Sequence, residues 1–215
     1  GEKKKIHKAS KVKWADVVDP VAKLDVPDEK FKYLYDASMR NLLLLSPGKV
    51  YAGPYTYKEF WFRDAVYAVF AMLSINLHDR AKDIIGRFLK NQTPTGYFKS
   101  QDGEWDSNGQ VLWIMKKFCE LSGEMPDKAW EKPIINALNW IIRKRTSNKK
   151  PNKYAGLFPA GFSAEHFGPN DYYYWDDFWG VAGLDAGEFL LEKLGRKDQV
   201  EEYLKEKYSF LGSIN

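Results

Sequence analysis

Three times along this chain a tryptophan stands next to a carboxylate: Trp61-Phe-Arg-Asp64, Trp105-Asp106 and Trp175-Asp-Asp-Phe-Trp179. Sugars suit this equipment. A pyranose has apolar C–H faces that pack on aromatic rings, and its hydroxyls are read by carboxylates and by the donor fork of an arginine such as Arg63. Glycosidic bonds are cleaved by two carboxyl groups, one donating a proton and the other activating water or attacking the sugar. The aromatic supply is unusual: 16% of residues, with eight tryptophans. It is also uneven. Residues 51–62 hold six aromatics and residues 154–179 hold ten, in stretches rich in glycine and proline. Rings in irregular segments cannot all be core, so some are expected to line a concave site.

The elements that must present these groups read as helices throughout, and the expected class is all-α. Phe31, Leu34, Tyr35, Ser38, Leu42 and Leu45 share one face of a first helix, with Asp28 near its start. A second spans about 60–75 and is apolar on every side over Ala65–Leu73, so it should be surrounded by protein. A third, about 79–91, is amphipathic through Ala81, Ile84, Ile85, Phe88 and Leu89. A fourth opens at Ser107, where Ser107-Asn-Gly-Gln110 has the form of a capping box, and ends near Ser122-Gly123. The fifth, sixth and seventh span about 127–145, 176–194 and 198–214. Short turns, each with an aspartate (Asp79, Asp127, Asp198) at the next helix start, join helices two to three, four to five and six to seven. The other links, about 46–59, 92–106 and 146–175, are long and aromatic. In an up-down array all three long loops fall at one end, so the three indole–acid pairs should meet at a shared rim.

Composition narrows the alternatives. With 215 residues, 44% hydrophobic and 29% charged, the chain reads as a soluble globular domain. No apolar run approaches the roughly 20 residues of a membrane span. No signal peptide opens it, and a cytoplasmic location is expected. Six lysines in residues 1–13 stand against Glu2, while the remaining 202 residues carry 27 basic and 28 acidic groups. The body is therefore neutral, and neither nucleic acid nor membrane is an expected partner. Residues 1–26 read as a basic linker or tail and 27–215 as the folded domain. The single Cys119, near Met115 and Leu112, reads as a buried structural thiol. Three scattered histidines make no metal site, and no phosphate-loop glycine pattern occurs, so no cofactor or metal is implied.

Tyr55-Thr-Tyr-Lys-Glu-Phe-Trp-Phe-Arg-Asp64 with its apolar helix resembles the first inner-helix motif of the six-hairpin, glucoamylase-like and debranching-enzyme-like glycosidases. So do Asp102-Gly-Glu-Trp-Asp-Ser-Asn-Gly-Gln-Val-Leu-Trp113 and Cys119-Glu-Leu-Ser-Gly123. Gly156-Leu-Phe-Pro-Ala-Gly-Phe-Ser-Ala-Glu165 and Asp171-Tyr-Tyr-Tyr-Trp-Asp-Asp-Phe-Trp179 look like the third hairpin loop. The resemblance covers about 50–195. It implies an (α/α)6 toroid, of which seven helices make an incomplete, N-terminal portion, and an inverting hydrolase of α-linked glucosides or oligosaccharides. It further implies that Arg63 and Asp64 hold sugar hydroxyls, that Trp61 and Trp175 stack on the ring, and that Trp105, Asp106 and Asp176 shape the same subsite. Glu165 matches the general acid, with a pKa raised among Phe162, Phe167 and Tyr172, and Asp171 is its rival. The general base would come from the missing half of the domain or a second chain, leaving this chain inactive alone and prone to association.

Plainer readings stand beside these. Arg63 and Asp64 can be a helix-end charge pair without a ligand, although adjacent helix positions do not face each other. Asp176 or Asp177 can simply cap the sixth helix. Ser107 and Gln110 are capping residues before they are ligands. Glu165 can be a solvated loop carboxylate, and the whole can be a non-catalytic carbohydrate-binding or scaffold toroid.

Overall fold

The computed structural model describes residues 13–147, 152–162 and 168–215. Among the described residues eight α-helices run in order: α1 Trp14–Val18, α2 Glu29–Leu44, α3 Phe62–Ser74, α4 His78–Phe88, α5 Ser107–Ser122, α6 Glu131–Lys144, α7 Tyr174–Lys193 and α8 Lys197–Ile214. No strand forms among the described residues beyond two isolated bridges, Gln92 with Phe98 and Gly161 with Asp171. The class is all-α. Short turns join α3 to α4, α5 to α6 and α7 to α8, and each pair packs as a hairpin. Successive first members, α3, α5 and α7, pack side by side, with α4, α6 and α8 outside them.

Local chemistry explains several boundaries. Asp28 caps α2, accepting from the amides of Lys30 at 2.8 Å and Phe31 at 3.2 Å. Gly123 ends α5 in the left-handed region at φ 74°, which costs glycine nothing. Asp127 caps the 3-10 turn that leads into α6. Asp79 and Asp198 do not cap. They sit inside the first turns of α4 and α8, where negative charge still favours the helix dipole.

Four other expectations change. The stretch read as a linker contains α1, and beyond it Val21 is buried while Ala22 donates its amide to Ile75 at 2.9 Å. On α2 the buried positions are Met39 and Leu43, and Phe31 and Leu34 are exposed. The hydrophobic stripe is wide enough to offer two faces, and packing chose the one nearer the α4 hairpin turn, where Arg80 bonds the Leu43 and Ser46 carbonyls. The first turn of α7 is not enclosed, since Tyr174, Trp175 and Phe178 are exposed. On α3, Tyr67 is also exposed, with its ring against Trp113 and Trp179.

The core is held by unusually close approach of α5 and α7. A Cβ on Gly109 would lie 1.9 Å from the Trp179 carbonyl oxygen, and one on Gly183 would lie 2.7 Å from the Gly109 Cα. Gly180 and Gly187 likewise admit Phe210 and Leu138. Glycine inside a helix costs about 1 kcal/mol against alanine. Backbone contact between two helices offsets that cost here, and it holds the N-terminus of α5 beside the first turns of α7. Gly109→Ala should therefore destabilise the chain by about 1–3 kcal/mol through overpacking, read as a lower urea midpoint. Gly86→Ala in α4, where a Cβ meets nothing within 4 Å, should be neutral or stabilising.

Candidate functional site

The site begins at the start of α3. The Phe62 amide, one of the donors a helix start leaves orphaned, is taken by the Ser100 hydroxyl at 2.8 Å. The Phe62 ring is fully buried against Phe60, Phe88 and Phe98. These contacts tie the second long connection to the first and aim Arg63 at it. Asp106, at the N-cap position of α5, makes no cap bond. Its carboxylate turns to the inner row instead. One oxygen, Oδ2, accepts from Arg63 Nε at 2.7 Å, Gln110 Nε2 at 2.8 Å and Trp175 Nε1 at 2.7 Å. Asp106 is 1% exposed, whereas Trp175 is 44% exposed. The Arg63 guanidinium also lies 5.8 Å from the centre of the Trp175 ring. Three helix starts are thus drawn to a single atom.

The expected capping box does not form. Ser107 is inside α5, and Gln110 reaches the Asp106 side chain rather than a backbone amide. The reason is the competition for Asp106: its bonds to Arg63 and Trp175 hold it in a helical rather than an extended conformation. Gln110 Oε1 is buried and has no hydrogen-bond partner among the described residues.

Asp176 and Asp177 are not caps either, since Tyr173 occupies that position. Both are buried in the first turn of α7. Burial first, and then the charge of Asp106, push the Asp176 carboxyl up to about 8, against the pull of Arg63. Asp177 is raised by burial, with the Phe158 amide at 2.8 Å and Arg145 opposing. Asp106 has three donors on one oxygen, and Asp176 holds its proton near neutrality. Tyr67, on the exposed side of α3, feels the same centre, because burial and the Asp106 charge raise its phenol.

Other candidates fall elsewhere. Trp105 points away from Asp106. Its indole N–H donates to the Pro159 carbonyl at 3.1 Å, its ring packs by Tyr97 and Trp140, and the Lys144 ammonium sits 3.5 Å over one face. That face is filled by the protein itself. Trp61 is half-buried beside Tyr57, at the N-cap of α3. Asp64 follows Arg63 on an exposed position. Asp171 is exposed; its backbone pairs with Gly161 and its carboxylate takes the Tyr172 amide at 2.8 Å. It is not a buried carboxyl among rings. Glu165, with its neighbour His166, lies outside the described residues. Lys144, Glu104 and Arg145 were missed in the sequence, because a basic residue in a last helical turn and an acid in a loop look like ordinary surface charge. Among the described residues, no group of three or more His, Cys, Asp or Glu side chains is arranged to hold a metal ion, and no helix is long and apolar enough to cross a membrane.

The neutral Asp176 carries a pH signature. The unfolded carboxyl releases its proton near 4, and the folded one holds it to about 8. Its contribution to stability is therefore full below the unfolded value and lost as pH rises through the folded one. Urea titrations at pH 5, 7 and 9 should show wild type weakening relative to Asp176→Asn across that window. Parallel curves would mean that Asp176 is ionised in the folded chain. The chain matches no family model, no curated protein and no solved structure.

Proposed function

We propose that the rim formed by the starts of α3, α5 and α7 binds a saccharide, and that it is part of an inverting glycoside hydrolase of the glucoamylase-like kind acting on α-linked glucosides or oligosaccharides. The observation that carries this reading is the convergence of Arg63, Trp175 and Gln110 on buried Asp106, beside a carboxyl that keeps its proton at neutral pH. Trp175 offers an exposed indole for the apolar sugar face. The Arg63 guanidinium, 5.8 Å from the Trp175 ring centre, is placed to donate to hydroxyls, and Asp64 follows it on an exposed position. Asp106 organises them rather than reacting, because its Oδ2 is already occupied three times.

Inverting hydrolysis needs a protonated carboxyl at the leaving oxygen and a second carboxylate about 6.5–9.5 Å away to activate water. Asp176 is the described group suited to the first task, since its pKa near 8 keeps it protonated where an ordinary aspartate is not. Glu165, in the connection before α7, is the other candidate. The base is proposed to come from outside this chain, by a further segment or a second chain, which would also cover Tyr67, Tyr174 and Phe178. A cytoplasmic setting accompanies this proposal.

Three variants test the site. Maltose binding, followed by calorimetry and Trp emission, should weaken by about tenfold or more in Asp106→Asn, the range for losing a charge-assisted hydrogen bond. In the complete source protein, hydrolysis of 4-nitrophenyl α-glucoside should fall by about 10²–10⁴ in whichever of Asp176→Asn and Glu165→Gln removes the acid, with maltose affinity little changed. Binding without cleavage of any glycoside by the complete wild type would favour a carbohydrate-binding module. Absence of binding as well would end the saccharide reading.

A further inference from the structure

Lys144 ends α6 and sits over the ring of Trp105, one residue before Asp106 in the chain. Its ammonium lies 3.5 Å from the centre of the Trp105 ring and 5.9 Å from that of Trp140. It makes no ion pair among the described residues. A half-buried ammonium without a carboxylate is costly unless something else holds the charge, and indole faces can do so. Burial lowers its pKa, with Asp102 opposing. The rings gain as well as the cation. Trp105 is pinned by the ammonium on one face and by its own N–H on the Pro159 carbonyl.

The backbone around Trp105 is held from both sides. The Tyr97 hydroxyl donates to the Glu104 carbonyl at 2.6 Å, and the Tyr97 ring lies flat on Trp140 at 4.4 Å. The Phe162 amide donates to the Gly103 carbonyl at 2.9 Å. A Cβ on Gly161 would meet Gly103 O at 2.4 Å and Trp105 Nε1 at 2.8 Å. The Lys144 ammonium caps one face of the indole. Trp105 and Asp106 are consecutive, so holding the indole restrains the stretch of backbone from which the Asp106 side chain leaves.

We propose that Lys144 is a positioning residue for the saccharide site: seated on the Trp105 ring, it locks the 103–106 turn so that Asp106 faces Arg63 and Trp175. This rests on the reading that the Asp106 cluster binds a sugar, and Lys144 itself touches none. The cation is the operative feature. Methionine keeps the length and loses the charge, while arginine keeps the charge and the ring contact.

The test compares Lys144→Met, Lys144→Arg and wild type by maltose titration and by hydrogen exchange of the 103–106 amides in the unliganded chain. Lys144→Met should exchange these amides about tenfold faster and bind maltose about tenfold more weakly, the scale of one desolvated cation–π contact. Lys144→Arg should recover both to within about threefold. Exchange that is unchanged in Lys144→Met, or no recovery by Lys144→Arg, overturns the proposal whatever happens to the sugar. Faster exchange restored by Lys144→Arg, with maltose affinity the same in all three, overturns its link to the site. If wild type and Asp106→Asn bind maltose equally, the saccharide reading fails instead, and the exchange data still decide whether Lys144 positions the turn.

Discussion

A carboxylate withdrawn almost wholly from water costs several kcal/mol unless donors replace its hydration. Asp106 is in that position, at 1% exposure. Its Oδ2 is satisfied by Arg63, Gln110 and Trp175, which reach it from three helices. Removing any one of those helix starts would leave a buried charge underserved. The rim therefore exists as a unit: Arg63 is directed, the Trp175 indole is oriented, and α5 gives up a conventional cap to make this possible. The competing demand explains why Asp106 sits in a helical conformation and why Gln110 spends its amide on a side chain.

That arrangement needs helices closer than most. The α5–α7 contact is backbone against backbone at Gly109, Trp179 and Gly183. With larger residues there, the first turns of α7 would stand off from α5, and a 2.7 Å bond between Trp175 and Asp106 would be out of reach. The glycines, unfavourable for a helix taken alone, are thus part of the same design as the buried carboxylate. The aromatic cluster of Phe60, Phe62, Phe88 and Phe98 does the equivalent work for α3.

The buried acids divide the labour. Asp106 has three donors, one of them the cation of Arg63. Asp176, in the same region, has burial and the Asp106 charge against it, and keeps its proton. Separation of two carboxyls into one organiser and one neutral acid is the pattern by which proteins obtain proton donors at neutral pH. Arg145 and Asp177 secure the connection that follows α6: Arg145 donates to the Gly156 carbonyl and to Glu206, and Asp177 takes the Phe158 amide.

The residue order alone determined the helical class, the seven long helices and the segregation of long aromatic connections from short turns. Periodicity and capping are local, so Asp28 and Gly123 marked their helix ends without help from the rest of the chain. It also located three indole–acid pairs and their likeness to one another. What it left open was partnership. Asp106 pairs with Arg63 from 43 residues before it and with Trp175 from 69 residues after it, while the adjacent Trp105 turns to Lys144 instead. Nothing in spacing distinguishes the two neighbours. Tertiary packing decided that one faces Arg63 and Trp175 and the other a lysine, because only the assembled helices set which groups lie on each side of the turn. The same holds for Asp176: its type is written in the chain, but its proton is held by the burial that α5 and α7 create together.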